Sequence, residues 1–382
     1  MPTKLNLIKK ASLLILSISF FTCTNPVSPE YKFINGLIYI EGFVGTTEGS
    51  SYVKITESNV APNYYRNIFV SGASVSFVNE DTGARVNLIE NNFEYIPASN
   101  FKGQIGEKWS LDIELPNGKK YLSEVEIINP SVPAKEISVS YNKELEYVED
   151  YKKYVPGHEI TLTFDDPENQ TNYYYWRSKS YEKINICMIC YDGKFRDNQC
   201  IPNTPPTQTG PNSPPPYFTY WCESDCWQID YGNKIYIFSD KFSNGATTTA
   251  LPVANILLKR KTKILVEIQQ FSLTEKAYTY YKTIKDLIDN NGGFNAPLPA
   301  ALIGNMYNPN DANEYVLGRF TASSAFTKTI MIDRTTVDEA AIEKQITPNP
   351  EPTSTGPGPN YTTALCEESR YRTSIQPEGW IE

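Results

Sequence analysis

The sequence predicts a mostly β protein: an N-terminal antiparallel β-sandwich followed by a second β-rich domain that carries one helix. Three observations predict it. Short runs alternate apolar and polar residues with a period of two, the pattern of a strand buried on one face. Turn signals separate these runs roughly every 8–12 residues, the spacing of sandwich strands. The 27 tyrosines, 27 prolines and 21 glycines suit strands and turns better than a helical bundle. With 382 residues, 40% of them apolar and 21% charged, the chain has material for more than one core. A formal charge of −9 argues against nucleic acid, which binds through Lys and Arg. A single histidine weighs against His-dependent catalysis and multi-His metal sites.

Residues 1–22 read as a signal peptide. Lys4, Lys9 and Lys10 form a basic start, and Ala11–Phe21 is an apolar run too short to span a bilayer. Phe20-Phe21-Thr22-Cys23 then places a small residue directly before a cysteine, as in a bacterial lipobox. On this reading Cys23 becomes the first mature residue and carries a lipid anchor; ordinary cleavage with a free or bridged Cys23 is the alternative. The polar Thr-Asn-Pro-Val-Ser-Pro that follows favours an anchor with a tether over 23–36. Each buried acyl methylene contributes about 0.8 kcal/mol, so several chains hold firmly. No later stretch is long and apolar enough for a transmembrane helix.

The sandwich is expected over 37–130. Gly36–Val44 is a buried-strand run, and Val53 and Ile55 alternate with Tyr52, Lys54 and Thr56. Ala73–Asn79, the turn Glu80-Asp-Thr-Gly83 and Arg85–Leu88 form a hairpin. Trp109–Leu115, the turn Pro116-Asn-Gly118 and Lys120–Ile127 follow. Gly72–Phe77 with its Asp-Thr-Gly turn resembles carboxypeptidase regulatory-like domains, which bind or space. Asn129-Pro-Ser-Val-Pro133 marks a boundary.

The second domain is expected over 134–335. Glu159–Phe164, Asn172–Arg177, Ile229–Phe238 and Ile264–Ile268 are its strands. A helix is expected over 272–289, with Ser272 as N-cap and Glu275 closing a capping box. Ala277, Tyr280, Tyr281, Ile284 and Ile288 share its apolar face, and Gly292-Gly293 ends it. Residues 336–382 read as a Pro-rich surface tail.

Seven cysteines occur, and six remain once Cys23 is set aside: Cys187, Cys190, Cys200, Cys222, Cys226 and Cys366. All but Cys366 flank a Pro-rich excursion, Pro202–Pro216, inside an insertion over about 187–226. Cys-x2-Cys is also half of a zinc knuckle, but export favours disulfides, with every connectivity open. Cys366 then staples the tail.

No catalytic residue, metal site or cofactor is expected. His158 opens a strand and reads as a turn or surface residue. Asp165, Asp166 and Glu168, like Asp192 and Asp197, read as acidic turns, lacking the spacing of a calcium loop. Neither a nucleophile elbow nor a phosphate loop is present. Aromatics crowd the cysteine region, and Tyr217, Tyr220, Trp221 and Trp227 are the candidate contacts with a partner or ligand.

The stretch Phe271–Phe320 carries a resemblance. It runs Phe-Ser-Leu-Thr-Glu-Lys-Ala-Tyr-Thr-Tyr-Tyr-Lys, then Gly-Gly-Phe-Asn-Ala-Pro-Leu-Pro-Ala, Ile-Gly-Asn-Met-Tyr-Asn-Pro-Asn-Asp and Val-Leu-Gly-Arg-Phe. This resembles the DUF4249 family of Bacteroidota outer-membrane lipoproteins, as do Leu37–Phe43, Gly72–Val75 and Tyr174-Tyr-Trp176. The family has no assigned function or catalytic residues. The resemblance implies an outer-membrane lipoprotein paired with a TonB-dependent-transporter-like β-barrel. Physically, Phe294, Pro297 and Pro299 fix an extended turn, Gly304 and Gly318 stand where backbone approaches closely, and Tyr278 and Tyr281 pack the helix on a sheet. The expected function is a non-enzymatic accessory subunit, anchored through Cys23 and facing the cell surface; a glycan- or peptide-capturing module is the alternative.

Overall fold

The computed structural model describes residues 35–61, 64–203, 216–289, 302, 304–352 and 362–382. The signal peptide, Cys23, most of the tether, the centre of the Pro-rich excursion, Gly292-Gly293 and the Phe294–Pro299 turn lie outside the described residues.

The fold is mostly β, with one α-helix among the described residues. Its backbone is an eleven-stranded sheet. From one side the main order is Arg372–Thr373, Trp227–Tyr231, Tyr173–Lys183, Lys263–Leu273, Leu317–Asp333, Ile38–Gly45, Tyr52–Ala61, Glu94–Ile96 and Ile89–Asn91. The sheet crosses the boundary expected near 130. Ile38–Gly45 pairs in parallel with Leu317–Asp333, Tyr39 opposite Leu317 and Gly45 opposite Ser323. A parallel pair needs a crossover, and here the crossover is most of the chain.

Period-two alternation gives this sheet two different faces. Ile38, Ile40, Val44, Val53, Ile55, Phe320 and Ala322 turn one way. They pack against a six-stranded sheet that includes Ser74–Asn79, Lys108–Glu114 and Lys120–Ser123, through Phe77, Leu111, Ile113 and Tyr121. This is the sandwich. Further along the same face, Tyr174, Trp176, Ile264, Val266 and Ile268 meet Ile160, Leu162 and Phe164. Those belong to a three-stranded sheet, Ala134–Val148, Lys153–Asp165 and Thr247–Leu257.

The other face carries the intervening residues of the same strands. Phe43, Tyr175 and Phe271 pack under the helix, against Ala277, Tyr280 and Tyr281. Tyr281 stacks on Tyr175 with centroids 4.7 Å apart, and Tyr278 tilts on Tyr173 at 5.0 Å. Farther along, Tyr181, Trp227, Ile229 and Leu265 pack under Trp380.

The helix runs Glu275–Asp289, later than expected. Ser272 is a strand residue, opposite Ser324. Thr274 is the cap: its carbonyl accepts the Tyr278 N–H and its Oγ1 the Ala277 N–H. Glu275 therefore opens the first turn and closes no capping box, because the strand runs on through Leu273, one residue past the expected cap. Ile288 is exposed, beyond the reach of the sheet.

The described residues after 335 are woven into the body. Thr363–Ala364 and Arg372–Thr373 each pair with a strand of the second domain. Glu351 is buried, held by Arg196 at 2.6 and 2.8 Å and by the Tyr220 hydroxyl at 2.8 Å. Trp380 meets Trp227 edge-on at 5.9 Å. Composition marks this stretch as poor in regular structure, but the buried Glu351, the Cys226–Cys366 disulfide and the buried Trp380 hold it.

Candidate functional site

The six paired cysteines define one module. Cys187 bonds Cys222, Cys190 bonds Cys200, and Cys226 bonds Cys366. The sulfurs of Cys187, Cys226 and Cys366 lie within 4.8 Å of one another, a grouping other than the Cys187-x2-Cys190 pair that raised the zinc alternative. In the oxidised chain each is committed to a disulfide. The module's core is Cys187, Cys190, Phe195, Tyr220, Cys226 and Ala364.

Alternation along Tyr217–Cys222 divides the candidate contact residues. Phe218 and Tyr220 turn into the module, and the Tyr220 hydroxyl accepts the Phe195 N–H while donating to Glu351. Tyr220 is thus interior, not a contact residue. Trp227 is interior too, because its strand faces Trp380. Trp221 turns outward and is 41% exposed, whereas Tyr217 is half-buried, its hydroxyl donating to the Thr347 carbonyl at 3.1 Å. Tyr191, paired opposite Tyr217, is more exposed still, and their rings meet at 5.7 Å. Sequence reading passed over Tyr191 because its partner strand lies beyond the Pro-rich excursion.

The acidic turns resolve into separate partners. Asp165 pairs with Lys135 and accepts the Thr247 hydroxyl at 2.7 Å. Asp166 accepts the Tyr174 hydroxyl at 2.5 Å and the Gly245 N–H at 3.0 Å. Asp240, fully buried, is held by Asn172 at 3.2 Å. Burial first, and then the neighbouring Asp166, lift the Asp240 carboxyl above the usual range. His158 is buried in mid-strand against Tyr141, not at a surface turn, because Tyr141 and Ile256 flank it in register on both sides. Burial and Arg334 push its imidazole down, toward the neutral form.

The family motif builds a joint. Gly318 has φ +98°, and a Cβ there would sit 2.0 Å from the Ile40 carbonyl oxygen. A Cβ on Gly304 would sit 1.6 Å from the Gly318 oxygen. The Asn305 side chain bonds both the N–H and the carbonyl of Phe320, at 2.8 and 2.9 Å. Arg319 pairs with Glu126, both buried, and Glu126 also accepts the hydroxyl of the helix cap Thr274 at 2.8 Å. Sandwich, long sheet and helix therefore meet at one point.

Between the helix and the Trp380 cover, the second face of the long sheet is left partly bare. A cleft of about 330 Å³ opens there, with Arg177 at its floor and Glu41, Tyr52, Gln269 and Arg370 around it. The Arg177 guanidinium lies 5.1–5.9 Å from the ring centres of Phe43, Tyr52, Tyr175 and Phe271. The Tyr52 hydroxyl donates to Glu41 at 2.5 Å, and burial pushes its pKa up. Burial also pushes the neighbouring Tyr281 phenol up to about 12. The strand pattern Tyr173–Lys183 contained this site, but only the pairing of five distant segments brings its wall together.

A mostly β scaffold with a disulfide-stapled module and an aromatic cleft is the class of protein this defines. The chain belongs to the family described as "Domain of unknown function (DUF4249)", whose model matches residues 24–329. No curated protein and no solved structure matches it.

Proposed function

We propose that this chain is an exported, non-enzymatic accessory subunit of an outer-membrane β-barrel complex, a TonB-dependent-transporter-like barrel, anchored through a lipid on Cys23 and facing the cell surface. The observation that carries this reading is the module: three disulfides, a bond type of oxidising compartments, confined to one unit that presents Tyr191 and Trp221 outward. Rigid exposed aromatics are the anchors that dominate interface energies. The stretch Phe21-Thr22-Cys23 supports the anchor. The test is affinity purification of the tagged chain from membranes in mild detergent. A stoichiometric barrel should co-elute with the wild type and be lost in the double variant Tyr191→Ala, Trp221→Ala. Cys23→Ala should move the chain out of the membrane fraction. Elution of the wild type alone refutes the accessory role.

The cleft favours a second reading, capture of a glycan or peptide for import. Its volume lies at the lower end of the range for ligand sites, roughly 300–1,000 Å³.

A further inference from the structure

We propose that the Arg177 cleft binds a small carboxylic acid, one carboxylate on a body no larger than a disaccharide. This rests on the capture reading and is independent of barrel docking.

The donor side comes first. Arg177 carries five N–H donors in a fixed fork. Its Nε donates to the Tyr175 hydroxyl at a long 3.4 Å, and Glu41 forms an ion pair with Nη2 at 3.7 Å, too long for a hydrogen bond, so most of the fork's N–H groups stay open. Among the described residues no other acceptor bonds it. Its side chain is 26% exposed, and that exposure faces the cleft. Four rings fix the guanidinium plane, so little rotamer entropy remains to be lost on binding.

Charge balance points the same way. The lining holds three cations, Arg177, Lys179 and Arg370, and two carboxylates, Glu41 and Glu94. Glu94 is taken by Arg370 at 2.5 Å, and Glu41 by the Tyr52 hydroxyl and the ion pair with Arg177. The lining therefore has one uncompensated positive charge and no free carboxylate, which suits an anion and disfavours a cation. The planar fork matches a carboxylate in two parallel bonds. Beside it, the half-buried Tyr52 and the exposed Tyr231 offer ring surface for the ligand's body, and Ser50 and Gln269 offer polar contacts for its hydroxyls or amides. Ring surface next to the fork favours an organic acid over inorganic phosphate.

The experiment is calorimetric titration of the full chain in detergent with four probes: D-glucuronate, N-acetyl-alanyl-alanine, D-glucose and inorganic phosphate. One of the two carboxylates should bind with a one-to-one stoichiometry, about tenfold or more tighter than glucose and phosphate. Glucuronate as the tighter ligand assigns an acidic glycan; the dipeptide assigns a peptide end. Arg177→Lys keeps the charge but loses the fork, and should weaken binding about tenfold. Gln269→Glu adds a carboxylate to the wall without touching the ring cage. It should weaken binding comparably, which protects the test if the Arg177 variant misfolds. Equal binding of glucose and glucuronate overturns the carboxylate assignment while leaving capture standing. Phosphate matching both acids also overturns it. No binding by any probe up to about 10 mM sinks the carboxylate site and capture together.

Discussion

The Glu126–Arg319 pair offers a sharp test of how the molecule is joined. Both side chains are 2–3% exposed. Arg319 Nε has no partner, so Glu126 supplies most of what offsets the buried guanidinium charge. Glu126→Leu strands that charge, and Arg319→Met strands the carboxylate. Breaking a buried pair from one side costs about 3–5 kcal/mol. The double variant removes both charges and replaces them with apolar groups of similar bulk, which is often neutral or stabilising. It still deprives the Thr274 hydroxyl and Asn305 Nδ2 of an acceptor. At about 1 kcal/mol for each lost bond, the double variant should fall only about 1–3 kcal/mol below the wild type. The singles would sum to roughly 6–10 kcal/mol, so the coupling energy should be at least about 3 kcal/mol. Urea unfolding followed by tryptophan fluorescence measures all four corners of the cycle. Trp109 reports the sandwich, and Trp176 and Trp227 report the rest. Additivity within about 0.5 kcal/mol would refute the reasoning, because it would mean that water already reaches the pair.

Three further outcomes are expected. Gly318→Ala should cost about 3–5 kcal/mol, from positive φ plus contact with the unyielding Ile40 carbonyl; Gly83→Ala, also at positive φ but with open space, should cost only about 1 kcal/mol, and denaturant midpoints compare them. Asp240 has a raised pKa when folded, so the stability its proton contributes is full below the unfolded value near 3.9 and is lost as pH rises through the folded value. Asp240→Asn should flatten that part of the melting-temperature profile and raise stability at neutral pH. Replacing Cys226 and Cys366 by Ser opens a link across 140 residues, for a loss of about 4–5 kcal/mol; limited trypsin digestion should then cut faster after Arg370 and Arg372.

Much of this was legible in the chain. The alternation in Ile38–Val44, Ser74–Asn79 and Trp109–Leu115 named strands and inward faces, because burial on one face writes itself into period two. The Gly304 and Gly318 positions were legible as close approaches, since only a residue without a Cβ fits them. The Arg177 cleft was not. Arg177 sits among tyrosines in a run that reads as core on both faces, and nothing local says which face remains bare. That depends on where the helix and Trp380 stop covering the sheet. Tyr220 and Trp227 were misread for a related reason: an aromatic beside a Pro-rich loop looks exposed until its partner, Glu351 or Trp380, arrives from the far end of the chain.

The same partners explain how two unpromising segments hold together. The insertion around 187–226 and the residues after 335 are each too polar and too rich in proline to pack alone. Each is the other's cover. Arg196 from the insertion buries against Glu351 from the C-terminal stretch, Cys226 bonds Cys366, and Trp227 meets Trp380. The family match ends at residue 329, before every one of these C-terminal partners. The pairing is therefore made between a segment inside the matched region and one beyond it. This pairing leaves the joint undisturbed, since Glu126, Asn305 and Arg319 bond neither segment. It follows that the module and the joint should vary independently in the energetics. Severing Cys226–Cys366 should leave the Glu126–Arg319 coupling unchanged, and the two losses should add.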